Sequence, residues 1–144
     1  MIVGIDPGKT GALCFLSDSG DSIELRKMTY SAQELRDILC SWDVRLAVVE
    51  HVSAGGAANK EGRRMGATSA FTFGTGFGVI LGVLAGCGIA HELVRPQTWT
   101  SAMGERGKDK ASHHAHAMRL FPGAKIPKYA ADSVLLAVYG RRFL

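Results

Sequence analysis

Three acidic residues stand at the ends of apolar segments, where a folded chain can bring them together. Asp6 follows a short apolar run, Glu50 ends a second one, and Asp132 lies in the first turn of a helix predicted over residues 130–143. If the two apolar runs form neighbouring strands, the carboxylates of Asp6 and Glu50 converge. Mg²⁺ prefers such oxygen ligands and keeps waters for its substrate.

These carboxylates fit the cleavage of phosphodiesters. In that chemistry one metal ion activates water and another stabilises the leaving oxygen. Each acid alone also fits an ordinary role, because an aspartate such as Asp132 is favourable at a helix start. The three together, none of them needed for a core, favour a metal-dependent nuclease.

The first fifty residues predict the strands that carry Asp6 and Glu50. Residues 1–5, 11–16 and 23–28 are apolar or alternating segments separated by turns, as in a three-stranded meander. Ser31 and Glu34 then form a capping box that opens a helix. The continuous apolar run 46–49 is typical of a strand covered on both faces.

The rest of the chain predicts one further strand and several helices. A fifth strand is expected over 89–94, followed by a short helix after Pro96 and helices over about 108–121 and 130–143. The predicted fold is α/β, with a mixed five-stranded sheet of an antiparallel meander plus parallel strands, flanked by helices. A length of 144 residues predicts a single domain, 1–144.

Residues 67–90 contain no charged side chain, and glycines recur at every fourth position: Gly74, Gly78, Gly82 and Gly86. The segment could be a membrane span, because about 20 apolar residues cross a bilayer. It could also be a buried helix lying close on a sheet or on a partner helix. A span would leave the first four strands without a second helix to cover them, so we expect no membrane.

Composition sets further expectations. Seventeen Lys and Arg against thirteen Asp and Glu give a net charge of +4, which permits a nucleic-acid partner. Cys14, Cys40 and Cys87 lie in or beside apolar runs and are expected to be buried free thiols. The N-terminus lacks the pattern of a secretory signal, so a cytoplasmic location is expected, which is the host cytoplasm if the protein is viral.

Basic residues flank the proposed acids and could contact phosphates. They are Lys9, Lys60, Arg63, Arg64, Arg106, Lys108 and Lys110. His113, His114 and His116 crowd one predicted helix without a spaced cysteine partner. We therefore interpret them as part of a solvated or DNA-facing helix rather than as a zinc site.

Three segments carry a resemblance to a known family. Gly4-Ile5-Asp6-Pro7-Gly8, Val48-Val49-Glu50-His51-Val52 and Ala130-Ala131-Asp132-Ser133-Val134-Leu135-Leu136-Ala137 resemble, in order, the acidic motifs of RuvC-type Holliday junction resolvases. Gly107-Lys108-Asp109-Lys110 is similar to the basic segment of that family. The family belongs to the ribonuclease H-like superfamily, and the resemblance covers nearly the whole chain.

The resemblance implies a function and a set of roles. Asp6, Glu50 and Asp132 would bind Mg²⁺, for which Mn²⁺ may substitute, and Lys110 would act as a catalytic residue near the scissile phosphate. A homodimer would make paired nicks in branched DNA, either four-way junctions or forks and flaps, and leave 5′-phosphate ends.

The chain departs from the family at two positions. Tyr129 stands where the family has a fourth ligand, Asp or His, and Ser53 stands where bacterial members have a base-stacking aromatic residue. We therefore expect weak binding of a second metal ion and better activity with Mn²⁺ than with Mg²⁺. Shorter phage-type members vary in these loops, and the segment 71–88 resembles a phage-type helix.

Two other functions remain open at this stage. A structure-specific DNA-binding module that has lost cleavage would also fit, since Tyr129 removes a ligand. A nucleotide-binding protein of the actin and sugar-kinase type shares the opening Gly4-Ile5-Asp6-x-Gly8, but such proteins duplicate the domain. Metal titration separates the DNA-binding module from a nuclease.

Overall fold

The computed structural model describes residues 1–51 and 66–144. Within them one five-stranded sheet has the order β3-β2-β1-β4-β5. The strands are β1 Ile2–Ile5, β2 Ala12–Leu16, β3 Ile23–Lys27, β4 Leu46–Glu50 and β5 His91–Val94. The first three are antiparallel, whereas β4 runs parallel to both β1 and β5. The predicted mixed sheet is confirmed.

Helices cover both faces of this sheet. They are α1 Ala32–Cys40, α2 Ala67–Gly86, α3 Pro96–Ala102, α4 Lys110–Leu120 and α5 Ala131–Phe143, with a short 3₁₀ helix at Lys128–Ala130. Half of the predicted capping box of α1 is present: the Ser31 side chain accepts a hydrogen bond from the backbone of Glu34, whereas the Ser31 N–H donates to the Thr29 hydroxyl. The Glu34 carboxylate accepts from the Thr29 hydroxyl at 2.7 Å.

Alternation along the strands divides the core into two layers. Ile2 and Val48 pack with α5 on one face, while Val3, Ile5 and Val49 pack with α1 and α2 on the other. The continuous apolar pattern of β1 and β4 is explained by this coverage on both faces. The two strands that end at Asp6 and Glu50 are therefore held from both sides.

The prediction that 67–90 forms a buried helix is wrong for most of its surface. Only Gly76, Ile80 and Leu84 of α2 are buried, and Phe71 is 78% exposed. A Cβ atom at Gly74, Gly78, Gly82 or Gly86 would meet nothing within 4 Å. In the part of the chain that the structure describes, α2 alone is long and apolar enough to cross a membrane.

The helix α2 comes close to Tyr30 at Gly76, a glycine outside the four-residue pattern. A Cβ at Gly76 would come within 2.7 Å of the Tyr30 ring. The Tyr30 hydroxyl donates a hydrogen bond to the carbonyl of Pro7, in the turn after Asp6. Gly76 thus lets α2 approach the residue that contacts this turn.

The cysteines are free thiols, but only Cys14 is buried. Cys40 is exposed and Cys87 is partly exposed, so the prediction of three buried cysteines is wrong for these two. Their sulfur atoms lie 3.1 Å apart. Cys40 ends α1 and Cys87 follows α2, so the two helices meet at their C-terminal ends.

Candidate active site

The sheet register brings Asp6 and Glu50 to the same edge. Ile5 pairs with Val49 between the parallel strands β1 and β4, so the next residue of each chain segment is one of these two acids. The Asp6 carboxylate accepts a hydrogen bond from the backbone N–H of Gly8 at 3.0 Å. This contact holds Asp6 against its own turn.

Asp132 approaches Asp6 and Glu50 from α5, the helix that packs on one face of the sheet. It lies in the first turn of α5 and is 4% exposed. Its Oδ1 is 2.7 Å from Nδ1 of His113, and its Oδ2 accepts a hydrogen bond from the Lys110 ammonium group. Two residues of α4 therefore hold both oxygens of one carboxylate on α5.

Glu50 has a partner of its own. The indole N–H of Trp99, in α3, donates to Glu50 Oε1 over 2.9 Å. Trp99 is 1% exposed and Glu50 is half-buried, so this hydrogen bond is partly buried. Each of the three carboxylates is thus oriented by at least one donor of the protein.

The pKa shifts indicate electrostatic interactions among Asp6, Glu50, Asp132 and Lys110. Burial raises the pKa of Asp6 above its usual value, and the charge of Asp132 adds to this effect. Burial also raises the pKa of Glu50, with further contributions from Asp6 and Asp132. Burial lowers the pKa of Lys110, but the hydrogen bond and charge of Asp132 outweigh it, so the pKa is raised. The four groups form one electrostatic cluster.

The charge of this cluster fits a divalent cation. The three carboxyl groups and the Lys110 ammonium have a formal charge of −2 when all are ionised, and partly buried charge of one sign is costly. Carboxylate oxygens are the ligands that Mg²⁺ and Mn²⁺ accept. Among the residues that the structure describes, no three His, Cys, Asp or Glu side chains already form a ready-made ligand set. The fit therefore rests on charge and on donor type.

The remaining candidates fall into two groups. Lys60, Arg63 and Arg64, with Ser53, lie outside the described residues. Lys9, Arg106 and Lys108 are exposed, and the Lys108 ammonium lies 3.3 Å from the buried Glu105 carboxylate.

Tyr129 is 44% exposed and lies in the 3₁₀ helix before α5. Asp109 accepts a hydrogen bond from the backbone N–H of Ser112 and caps α4. His113, by contrast, bonds directly to Asp132. The effect of Tyr129 on metal binding stays a prediction.

The interpretation of the three histidines as part of a solvated or DNA-facing helix is wrong for His113, which is buried, whereas His114 and His116 are partly exposed. His113 is 7% exposed and contacts Asp132, His114 lies 2.8 Å from the Ile126 carbonyl, and His116 lies 2.7 Å from Glu105. Each histidine has a different partner within the chain. Sequence reasoning missed Trp99 as a residue that contacts one of the acids.

Comparison with known proteins identifies the fold. Two solved structures of Thermus thermophilus RuvC superimpose on the chain with TM-scores of 0.66 and 0.64, the second in complex with a Holliday junction substrate. The chain has a RuvC-like fold. The alignments cover 96% of this chain and 91% and 90% of the two RuvC chains, at 16% sequence identity. No protein-family model and no curated protein matches the sequence.

Proposed function

We propose that the protein is a divalent-metal-dependent endonuclease that cuts branched DNA. The observation that carries this proposal is the convergence of Asp6, Glu50 and Asp132, with Lys110 among them, on a RuvC-like fold. The solved RuvC complex holds a Holliday junction, which supports a four-way junction as the first substrate to test. Asp6, Glu50 and Asp132 are the acids that the sequence resemblance implies as metal ligands.

The three carboxylates would hold the metal ions. When bound, the metal ions would supply a nucleophilic water and neutralise the charge that develops on the leaving oxygen. Asp6 and Glu50 stand at the ends of strands that pack against core residues on both faces of the sheet. The Lys110 ammonium, on the surface side of Asp132, would bind the scissile phosphate.

The basic side chains near the site would bind the DNA backbone. Lys9 lies in the turn after Asp6, while Arg106 and Lys108 lie in the loop before α4, and all three are exposed. Phosphate contacts give affinity that falls with salt and carries little sequence information. Binding to the junction should therefore be strongly dependent on salt concentration.

Labelled DNA of three shapes tests this proposal. We expect cleavage of four-way junctions in Mg²⁺ or Mn²⁺, weaker cleavage of forks and flaps, and none of linear duplex DNA. Ca²⁺ should permit binding but not cutting. Junction binding without cleavage in any of these metals would instead support the DNA-binding module, which Tyr129 favours because a neutral phenol is a poor metal ligand.

We also propose that the exposed face of α2 joins two copies of the chain. Its glycines leave open space above Gly74, Gly78, Gly82 and Gly86, into which a second helix could approach closely. A symmetric dimer would place two active sites on one junction, as paired cutting requires. A second copy would also cover the exposed Phe71.

Sedimentation velocity tests the dimer. Gly78→Leu should weaken dimer formation about tenfold or more, because the larger side chain separates the helices. Gly123→Leu is the matched control, since Gly123 also faces open space but lies outside α2. A wild-type protein that stays monomeric at every accessible concentration would contradict the proposal. Recovery only with detergent would support the membrane alternative for α2.

A further inference from the structure

Two buried aromatic residues connect two of the acids. Trp99 of α3 is 1% exposed and His113 of α4 is 7% exposed. Their ring centroids are 5.4 Å apart, and the planes meet at 64° in an edge-to-face arrangement. Aromatic pairs favour this edge-to-face geometry, and the dense packing of a core restricts the rotation of both rings.

Each ring presents one N–H group to a different carboxylate. Trp99 donates to Glu50 Oε1 at 2.9 Å, and Nδ1 of His113 lies 2.7 Å from Asp132 Oδ1. A carboxylate is an acceptor, so the hydrogen of His113 must be on Nδ1 in this contact. Glu50 on β4 and Asp132 on α5 are thereby linked through the two packed rings.

Packing alone does not explain why a polar side chain occupies position 113. Nε2 of His113 is buried and has no hydrogen-bond partner among the described residues. Leaving a buried polar atom without a partner is unfavourable, whereas an apolar side chain of similar size would fill the space without this penalty. Among the described residues, the partner of the His113 side chain is Asp132.

We propose that Trp99 and His113 are positioning residues that set the orientation of Glu50 and Asp132 toward a divalent metal ion. The inference rests on the proposed function. Each N–H group selects one oxygen of its carboxylate and limits rotation of the group. The ring contact then ties the two orientations together. Metal affinity falls when such outer partners are removed, since the ligands must be ordered on binding.

Calorimetric titration with Mn²⁺ alone, without DNA, tests this role. Trp99→Phe and His113→Leu should each raise the Mn²⁺ dissociation constant by about tenfold or more. Trp42→Phe is the matched control, because Trp42 packs on Phe15 and its indole N–H has no partner in the described chain. This control should bind Mn²⁺ as the wild type does.

A second pair of variants isolates the hydrogen bond of His113 from its bulk. The amide nitrogen of asparagine can occupy the place of Nδ1, whereas that of glutamine reaches the place of Nε2. His113→Asn should therefore keep most of the Mn²⁺ affinity, and His113→Gln should lose it. This pair also decides the question if the leucine variant fails to fold, because both replacements are polar and of similar size.

A spectroscopic measurement gives an independent readout. The chain has two tryptophans, so Trp99 is the only tryptophan that emits in the Trp42→Phe variant. The fluorescence of Trp99 should be quenched as Mn²⁺ binds beside Glu50. The midpoint of this quenching should equal the midpoint of the calorimetric titration. Unchanged emission during confirmed Mn²⁺ binding would contradict the contact between Trp99 and a metal-binding carboxylate.

Three negative results have two separate meanings. If the wild type binds Mn²⁺ and both Trp99→Phe and His113→Leu bind it equally well, Trp99 and His113 serve only the core, and the inference fails while the proposed function stands. Equal affinities of the asparagine and glutamine variants would contradict the inference in the same way. If the wild type does not bind Mn²⁺ at millimolar concentrations, the metal site and the proposed function fail together.

Discussion

Replacement of Asp6 by asparagine should lower the rate of junction cleavage by about three orders of magnitude. A lost metal ligand removes several kcal/mol of transition-state stabilisation, and each 1.36 kcal/mol corresponds to a factor of ten. Binding of a four-way junction in Ca²⁺, measured by gel shift, should change little, because exposed basic side chains hold the DNA. Glu50→Gln should behave similarly, since the new amide oxygen can still accept from Trp99.

Asp6→Asn should also raise the melting temperature of the protein. Burial raises the pKa of Asp6, so the folded protein binds this proton more tightly than the unfolded chain does. The stability that the protonated group contributes is lost as the pH rises through the folded pKa, and the ionised group destabilises the fold above it. Asparagine cannot ionise, and its carbonyl still accepts from the Gly8 N–H group. Thermal unfolding at neutral pH without metal checks this sign.

Asp37→Asn provides the control for both measurements. Asp37 is an exposed acid on α1, where it accepts hydrogen bonds from Gln33. Its replacement should leave cleavage and melting temperature nearly unchanged. If Asp6→Asn cuts junctions at close to the wild-type rate, Asp6 is not a metal ligand and the proposed site is wrong.

The strands and the acids at their ends could be predicted because the signals are local. An apolar run covered on both faces leaves its first polar residue at the end of the strand, as at Asp6 and Glu50. Parallel pairing then places such residues side by side. The helix start at Asp132 was similarly evident from the periodicity of the residues that follow it.

The partners of those acids depend on contacts between distant segments. Trp99 is 49 positions from Glu50 along the chain, and His113 is 19 positions from Asp132. Three histidines within four residues gave no sign of which one faces the core, because that depends on where α5 packs. The glycine spacing of α2 likewise led to a wrong prediction of close packing. The regularly spaced glycines face open space, whereas Gly76 lies close to Tyr30.

Gly4→Ala should lower the free energy of unfolding by about 3 kcal/mol, since a Cβ at this position has no space. It would lie 2.1 Å from the backbone oxygen of Ser133 and 2.5 Å from the backbone nitrogen of Ala137, and a helix backbone cannot turn aside as a side chain can. The helix α5 would have to move away from β1 and carry Asp132 with it, so cleavage should fall as well. Urea unfolding measures the stability, with Gly123→Ala as the control because its Cβ meets nothing within 4 Å. Equal stability of the two variants would mean that α5 does not lie this close to β1.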